Sequence, residues 1–111
     1  MNLEIAVEAI GPWKVVNLRG RIDASSTETF DSSLKTLITS GASRILINCA
    51  ELRYVSSVGI GILVECSKSL SASGGYLSFS GMSPHIRSVL DMLGFAGLFP
   101  NYSSVEEAMK S

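Results

Sequence analysis

Residues 43–50, with the sequence SRILINCA, contain the uninterrupted apolar run Ile45, Leu46 and Ile47. A strand that is apolar on both faces is usually central in a sheet and covered by helices. After residue 55 the apolar residues change to the helical spacing i, i+3, i+4, i+7 and i+11. These residues are Gly59, Ile62, Leu63, Cys66 and Leu70. A buried strand that leads into a helix, closing near residues 74–75, predicts an α/β layered fold.

The other strands are predicted from alternation and from turn residues. Leu3–Val7 alternates apolar and polar residues, and Trp13–Gly20 is a second strand-like segment. The turn signal Gly11-Pro12 between them predicts an antiparallel hairpin. Residues 76–80, with the sequence YLSFS, predict a short strand, and residues 97–100 predict either a last short strand or a turn.

Three further helices are indicated by caps and by apolar faces. The first begins at Ser25, Ser26 or Thr27 and ends at Gly41. The second covers residues 83–94 with Ser83 as N-cap, and the third covers residues 103–110, capped by Ser103 or Ser104. The residues expected to face inward are Phe30, Leu34, Leu37, Ile38, Ile86, Val89, Leu90 and Leu93. We therefore expect a mixed β-sheet with an antiparallel N-terminal strand pair, packed by about four helices.

Length and composition limit the class of protein. A chain of 111 residues is expected to form one domain, residues 1–111, and 46% hydrophobic residues are enough for a core. The net charge is −1 without a basic stripe, so nucleic acid and anionic membranes are not expected partners. No apolar run approaches the ~20 residues that span a bilayer, and the N-terminus lacks the pattern of a signal peptide. The expectation is a soluble, cytoplasmic protein.

The cysteines and the histidine do not indicate a reactive or metal-binding site. Cys49 and Cys66 are too few for a disulfide framework, and with His85 they form no ligand pattern. Both cysteines are expected to be reduced, half-buried thiols. His85 follows Ser83-Pro84 and is expected on the surface of a first helical turn. No metal or other cofactor is predicted.

Adjacent serines, Ser56 and Ser57, stand where the central strand gives way to the helix. They lack the GxSxG pattern of a hydrolase nucleophile, and the glycines at 59 and 61 lack the remainder of a phosphate-binding loop. A serine without an activating base is a poor nucleophile at neutral pH. The chain is therefore not expected to be an enzyme.

The first two turns of this helix are apolar nearly all round. Ile60 and Val64 lie away from the apolar face described above, and such a helix is either buried on two sides or offers an apolar strip to a partner. Gly59 and Gly61 would leave backbone N–H groups approachable. A capped core helix, with glycines for tight packing, remains the alternative, and either serine could be its cap.

The run ILINCAELRYVSSVGIGILVE resembles the signature of the STAS domain family, typified by bacterial anti-sigma factor antagonists. In the usual form of that signature, an apolar strand ends in Asp-Leu-Ser, and Asp-Ser-Ser-Gly-Leu-Gly opens a helix. GRIDASS resembles the Gly-x-Leu-Asp segment of the family, and residues 80–109 resemble its C-terminal helix, Leu-Gly-x-x-x-Leu-Phe turn and closing helix. The order and spacing of these motifs follow the family along the whole chain.

The resemblance implies roles for individual residues. Ser57 falls on the phosphorylated serine of the family, with Ser56 as the alternative, and Asp23 falls on an acidic residue that helps to bind a kinase. The partner-binding residues that it implies, together with the apolar strip, are Asp23, Ser56, Ser57, Val58, Gly59, Ile60, Gly61 and Val64. Ser56 and Asn48 replace two aspartates of the family pattern, and both are expected near the site.

What the resemblance implies is a phospho-switch that regulates transcription. The unphosphorylated form would bind an anti-sigma factor that is also a serine kinase, phosphorylation would release it, and a metal-dependent serine phosphatase would reset it. The chain would be a monomer or a weak dimer. The alternatives are a STAS scaffold that is not phosphorylated, in a larger signalling or transporter-associated assembly, and a small-ligand binder.

Overall fold

The computed structural model describes residues 2–110, with Ala96 described by its backbone alone. The elements are β1 (Leu3–Ile10), β2 (Trp13–Ile22), α1 (Thr27–Thr39), β3 (Arg44–Val55), α2 (Ser57–Ala72), β4 (Tyr76–Ser80), α3 (Pro84–Met92), a 3-10 turn (Ala96–Leu98), β5 (Asn101–Tyr102) and α4 (Val105–Met109). The predicted order of strands and helices is confirmed. Residues 97–100 were predicted as a strand or a turn. Residues 97 and 98 belong to the 3-10 turn, residues 99 and 100 follow it, and the last strand begins at Asn101.

The five strands form one sheet in the order β1-β2-β3-β4-β5. β1 and β2 are antiparallel and the other neighbours are parallel. Gly11, with a φ of 57°, allows the tight turn between the first two strands. The mixed sheet with an antiparallel N-terminal pair is therefore confirmed, and the strand predicted to be central is in the centre.

Strand β3 continues beyond its predicted end at residue 50 and reaches Val55. Over this extension Glu51 and Arg53 are exposed and Leu52 is buried. A shift in the register with β2 at Arg53 brings Val55 to the buried side as well. The extension carries the chain directly to the two serines at the start of α2.

The two faces of the sheet are covered unequally. Helices α1, α2 and α3 pack on one face and enclose the larger core, which includes Val16, Ile47 and Phe79. On the other face a smaller cluster holds Trp13, Val15, Leu46 and Ala108, the last of which belongs to α4. The crossovers thus place α1 and α2 side by side on one face.

Most of the predicted inward residues are inside. Phe30, Leu34, Ile86 and Leu90 are buried, and Leu37, Ile38 and Val89 are half-buried against the core. Leu93 is 48% exposed, so the prediction for this residue is wrong, because α3 ends at Met92 before the chain turns away.

The cysteines are more deeply buried than expected. Burial raises the pKa of Cys49 to about 12 and the pKa of Cys66 to about 11. Both are therefore protonated at neutral pH.

Within residues 2–110, no helix combines the length and apolar character needed to cross a membrane. The same part of the chain contains no group of three or more His, Cys, Asp or Glu residues placed to hold a metal ion.

Candidate partner-binding site at the start of helix α2

Ser56 is the N-cap of α2. Its backbone is extended, with φ −77° and ψ 166°, and its Oγ accepts a hydrogen bond from the Gly59 N–H at 3.1 Å. Its carbonyl oxygen accepts a hydrogen bond from the Ile60 N–H at 2.9 Å. The Ser56 hydroxyl therefore satisfies one of the free N–H groups at the start of the helix.

Ser57 is the first residue of the helix and is exposed. Across the described residues 2–110, no hydrogen bond engages its hydroxyl, in contrast to that of Ser56. Val58 beside it is 62% exposed. The structure thus presents a free hydroxyl and an apolar side chain together at a helix N-terminus.

Gly59 is buried, and its lack of a side chain serves packing. A Cβ at this position would lie 2.7 Å from the Cγ2 of Ile22 and 2.9 Å from the Cγ2 of Val55. The expectation that Gly59 leaves its N–H approachable is wrong, because the Ser56 hydroxyl already binds this group. Gly61 is different: it is exposed, with nothing within 4 Å of an added Cβ, and it lines a groove between α1 and α2.

Ile60 is 2% exposed and belongs to the larger core. The prediction of a partner-facing strip through Ile60 and Val64 is therefore wrong for Ile60. Val64 is half-buried and packs against the same core. The helix is rotated relative to the expected orientation, so that Ile60 faces inward and Ile62 is half-buried. Val58 is the exposed apolar residue of the first turn.

Asp23 lies in the loop that follows β2, beside the start of α2. The Ser56 N–H donates to the carbonyl oxygen of Ile22 at 2.8 Å, which ties this loop to the helix. The Asp23 carboxylate accepts hydrogen bonds from the Ser25 hydroxyl at 2.7 Å, the Ser25 N–H at 3.0 Å and the Asn2 side-chain amide at 3.2 Å. Asp23 is thus placed near the predicted switch serines.

The hydrogen bond from the Ser25 hydroxyl, followed by that from Asn2, holds the pKa of Asp23 below its usual value, with Arg21 adding a smaller effect. The Arg21 Nε lies 3.6 Å from the carboxylate. The carboxylate is therefore ionised at neutral pH. It is also engaged within the chain, so it orders the loop before any partner arrives.

The contacts that fix this loop were not predicted from the sequence, although Ser26 was a candidate cap of α1. The guanidinium of Arg21 lies 4.4 Å from the centre of the Tyr54 ring, a cation–π distance. Ser26 is fully buried, and its hydroxyl accepts from the Asp23 N–H at 3.0 Å and donates to the Arg21 carbonyl at 2.8 Å. The i, i+2 spacing of Arg21 and Asp23 was the available signal, because such residues share one side of an extended chain.

Asn48 does not lie near the site, so that expectation is wrong. It stands in the middle of β3, where its side-chain amide donates to Asn17 Oδ1 at 2.8 Å and its Oδ1 accepts from the Ala50 N–H. At about 3.3 Å per strand residue, the remainder of β3 separates it from Val55 by on the order of 20 Å. Asn48 is distant from the site because β3 continues beyond residue 50 to Val55. Of the two positions where the family pattern has an aspartate, only that of Ser56 is part of the site.

The sheet order, the helical layer and the serine at the start of α2 define an α/β domain with an exposed site at one helix N-terminus. The profile of the STAS domain family matches residues 4–108, and the chain belongs to this family.

Its relatives include anti-sigma factor antagonists. The chain is 24% identical to the anti-sigma F factor antagonist of Paenibacillus polymyxa over 110 residues, covering 98% of this chain and 94% of the relative. It is 28% identical to the anti-sigma-B factor antagonist of Bacillus subtilis (strain 168) over 94 residues, covering 85% of each chain.

The structure of the anti-sigma factor antagonist SpoIIAA in its unphosphorylated form matches with a TM-score of 0.84 at 25% identity. The phosphorylated form of the Bacillus SpoIIAA matches with a TM-score of 0.77. The match covers 96% of this chain in both cases, and 94% and 97% of the respective SpoIIAA chains. These relatives are regulatory proteins and not enzymes, which confirms the prediction that the chain is not an enzyme.

Proposed function

We propose that this chain is an anti-sigma factor antagonist controlled by phosphorylation of Ser57. In its unphosphorylated form it binds an anti-sigma factor that is also a serine kinase, and phosphorylation releases it. A metal-dependent serine phosphatase restores the binding form. The observation that carries the proposal is the difference between two neighbours: the Ser56 hydroxyl is committed to the helix cap, while the Ser57 hydroxyl is exposed and unbound.

The start of α2 is suited to carry a phosphate without unfolding. A phosphate adds about −1.5 to −2 charges at neutral pH. The helix dipole and the unpaired N–H groups of the first turn favour an anion at this position. The similarity of the chain to both the unphosphorylated and the phosphorylated structures of SpoIIAA supports a fold that is retained in both states.

The proposed contact surface is the outer side of the first turn of α2, formed by Ser57, Val58 and Gly61. Val58 is the apolar side chain that a partner would cover, and a phosphate beside it would have to lose its water in the complex, at a large cost in free energy. Gly59 and Ile60 act beneath this surface by positioning it. Asp23 and the half-buried Val64 flank it. The Asp23 carboxylate is held by Ser25, Asn2 and Arg21, and its negative charge beside the surface favours a basic residue of the partner.

The proposal is tested by capturing the kinase from native cytosol with the wild-type chain and then mapping the phosphate by mass spectrometry. With ATP, the wild type is expected to gain one phosphate on Ser57, Ser57→Ala none, and Ser56→Ala still one. Ser57→Asp is expected to remain folded and to bind poorly, because it adds a charge at the centre of the interface. Phosphate on Ser56, or wild-type binding by Ser57→Asp, contradicts the assignment.

A STAS scaffold that is not phosphorylated is the second candidate, favoured by one observation. Ser56 stands where the family pattern has an aspartate directly before the switch serine, and this residue is in the site. Under this alternative, the same pull-down captures partners, but neither serine gains a phosphate and Ser57→Asp binds as the wild type does.

A further inference from the structure

Two buried serines on β4 have hydroxyls without hydrogen-bond partners. Ser78 is 0% exposed and Ser80 is 1% exposed, and among residues 2–110 no group binds either Oγ. A hydroxyl that loses its water without gaining a partner disfavours the state that buries it. The question is which element of the fold removes them from water.

The covering element is α4. The register pairs Ser78 with Leu46 and Ser80 with Asn48, and Leu46 belongs to the cluster on the α4 side of the sheet. Ser80 is also paired with Tyr102 of β5, which packs against the same cluster. α4 contacts β3, β4 and β5. Both serines therefore lie in the layer that α4 closes.

Helix α4 depends for its stability on the apolar surface that it covers, formed by Trp13, Val15 and Leu46 and called the seat below. It has five residues, whereas isolated helices shorter than about 12–15 residues are marginal in water. Its first turn is capped by Ser104, whose Oγ accepts from the Glu107 N–H at 3.1 Å. Ala108 is its fully buried residue, and it packs with Trp13, Val15 and Leu46. Val105 and Met109 of the same helix are half-buried against this cluster. The five-residue helix is thus held through one face.

We propose that α4 is a latch that opens separately from the rest of the fold, and that Ser78 and Ser80 set its opening equilibrium. When α4 leaves, both hydroxyls regain water, so they favour the open state. Opening also uncovers the apolar seat of Trp13, Val15 and Leu46, which the closed form hides. The larger core on the opposite face does not change in this step.

The first test is hydrogen exchange of the full chain, read by mass spectrometry over residues 103–110. Ser78→Ala and Ser80→Ala remove the buried hydroxyls and are each expected to slow exchange in this segment by about 5-fold or more. Ser88→Ala, at an exposed position in α3, is the control and should leave it unchanged. If neither β4 variant slows exchange at residues 103–110, the proposal is wrong.

The second test uses Trp13, the sole tryptophan, which is 3% exposed in the closed form. Ala108→Asp places a charge in the seat and is expected to hold the latch open. Trp13 emission should then shift to the red, and residues 103–110 should exchange rapidly while β3 and α2 keep their protection. Unchanged emission, or loss of protection throughout the chain, would show that α4 does not open as a separate unit.

Discussion

The first turn of α2 has an inner and an outer side, and residues 56–61 are divided between them. The inner side consists of Ser56, Gly59 and Ile60, and the outer side of Ser57, Val58 and Gly61. The inner residues cap the helix, admit Ile22 against its backbone and fill the core. The outer residues make few contacts within the chain. The 3.6-residue period thus separates the residues that support the site from those that form the proposed contact surface, although the six residues are contiguous.

The largest difference in the free energy of unfolding between the two sides is expected when a charge is introduced on each. Ile60→Glu removes an apolar side chain from the core and leaves an unpaired carboxylate there, which should lower the free energy of unfolding by about 3–5 kcal/mol. Val58→Glu on the outer side should change it by at most ~0.5 kcal/mol. Urea unfolding measures both values.

Because the Ile60→Glu variant can fail to fold, Ile60→Ala provides a milder version of the same test. It is expected to lose about 2–5 kcal/mol through the cavity it leaves. An Ile60→Ala variant as stable as the wild type would contradict the inner placement of this side chain.

The two glycines provide the next comparison. In Gly59→Ala the new methyl meets Ile22 and Val55 at less than 3 Å, and the resulting strain should lower the free energy of unfolding by about 1–3 kcal/mol. In Gly61→Ala the methyl meets nothing, and the higher helix propensity of alanine should raise it by about 0.5–1 kcal/mol. Opposite signs in urea unfolding support the comparison, and two losses of equal size contradict it.

The sequence predicted the fold well because its signals are local. The run Ile45–Ile47 marked the central strand, and caps and glycines marked the helices. The rotation of α2 could not be predicted in the same way, since its first turns are apolar nearly all round and both Ile60 and Ile62 fit an inward pattern. The orientation is set when α2 packs on the sheet, where Ile22 and Val55 lie against Gly59 and Ile60 enters the core, and this packing requires three elements to be assembled.

The position of Asn48 shows a second limit. The alternation of Glu51, Leu52 and Arg53 covers only three residues, which is too short a pattern to predict that β3 continues beyond residue 50. If the strand ended near residue 50, Asn48 would lie close to the site, which is why it was expected there. Asp23 and Ser56 both lie at the start of α2 in the structure, but the sequence could not show that Asp23 already binds Ser25 and Asn2.

The smallest difference in the free energy of unfolding is expected between alanine variants of the two serines. This comparison tests the basis of the proposed switch. Ser56→Ala removes the side chain that caps α2 and should lower the free energy of unfolding by about 1 kcal/mol. Ser57→Ala removes an exposed hydroxyl without a partner and should change it by at most ~0.5 kcal/mol. Each variant removes one hydroxyl oxygen, and the two positions are adjacent. Each variant is therefore the control for the other in urea unfolding. If Ser57→Ala costs as much as Ser56→Ala, the Ser57 hydroxyl supports the helix. A kinase would then have to break that support to reach it, and the phosphorylated chain would be less stable rather than only less able to bind.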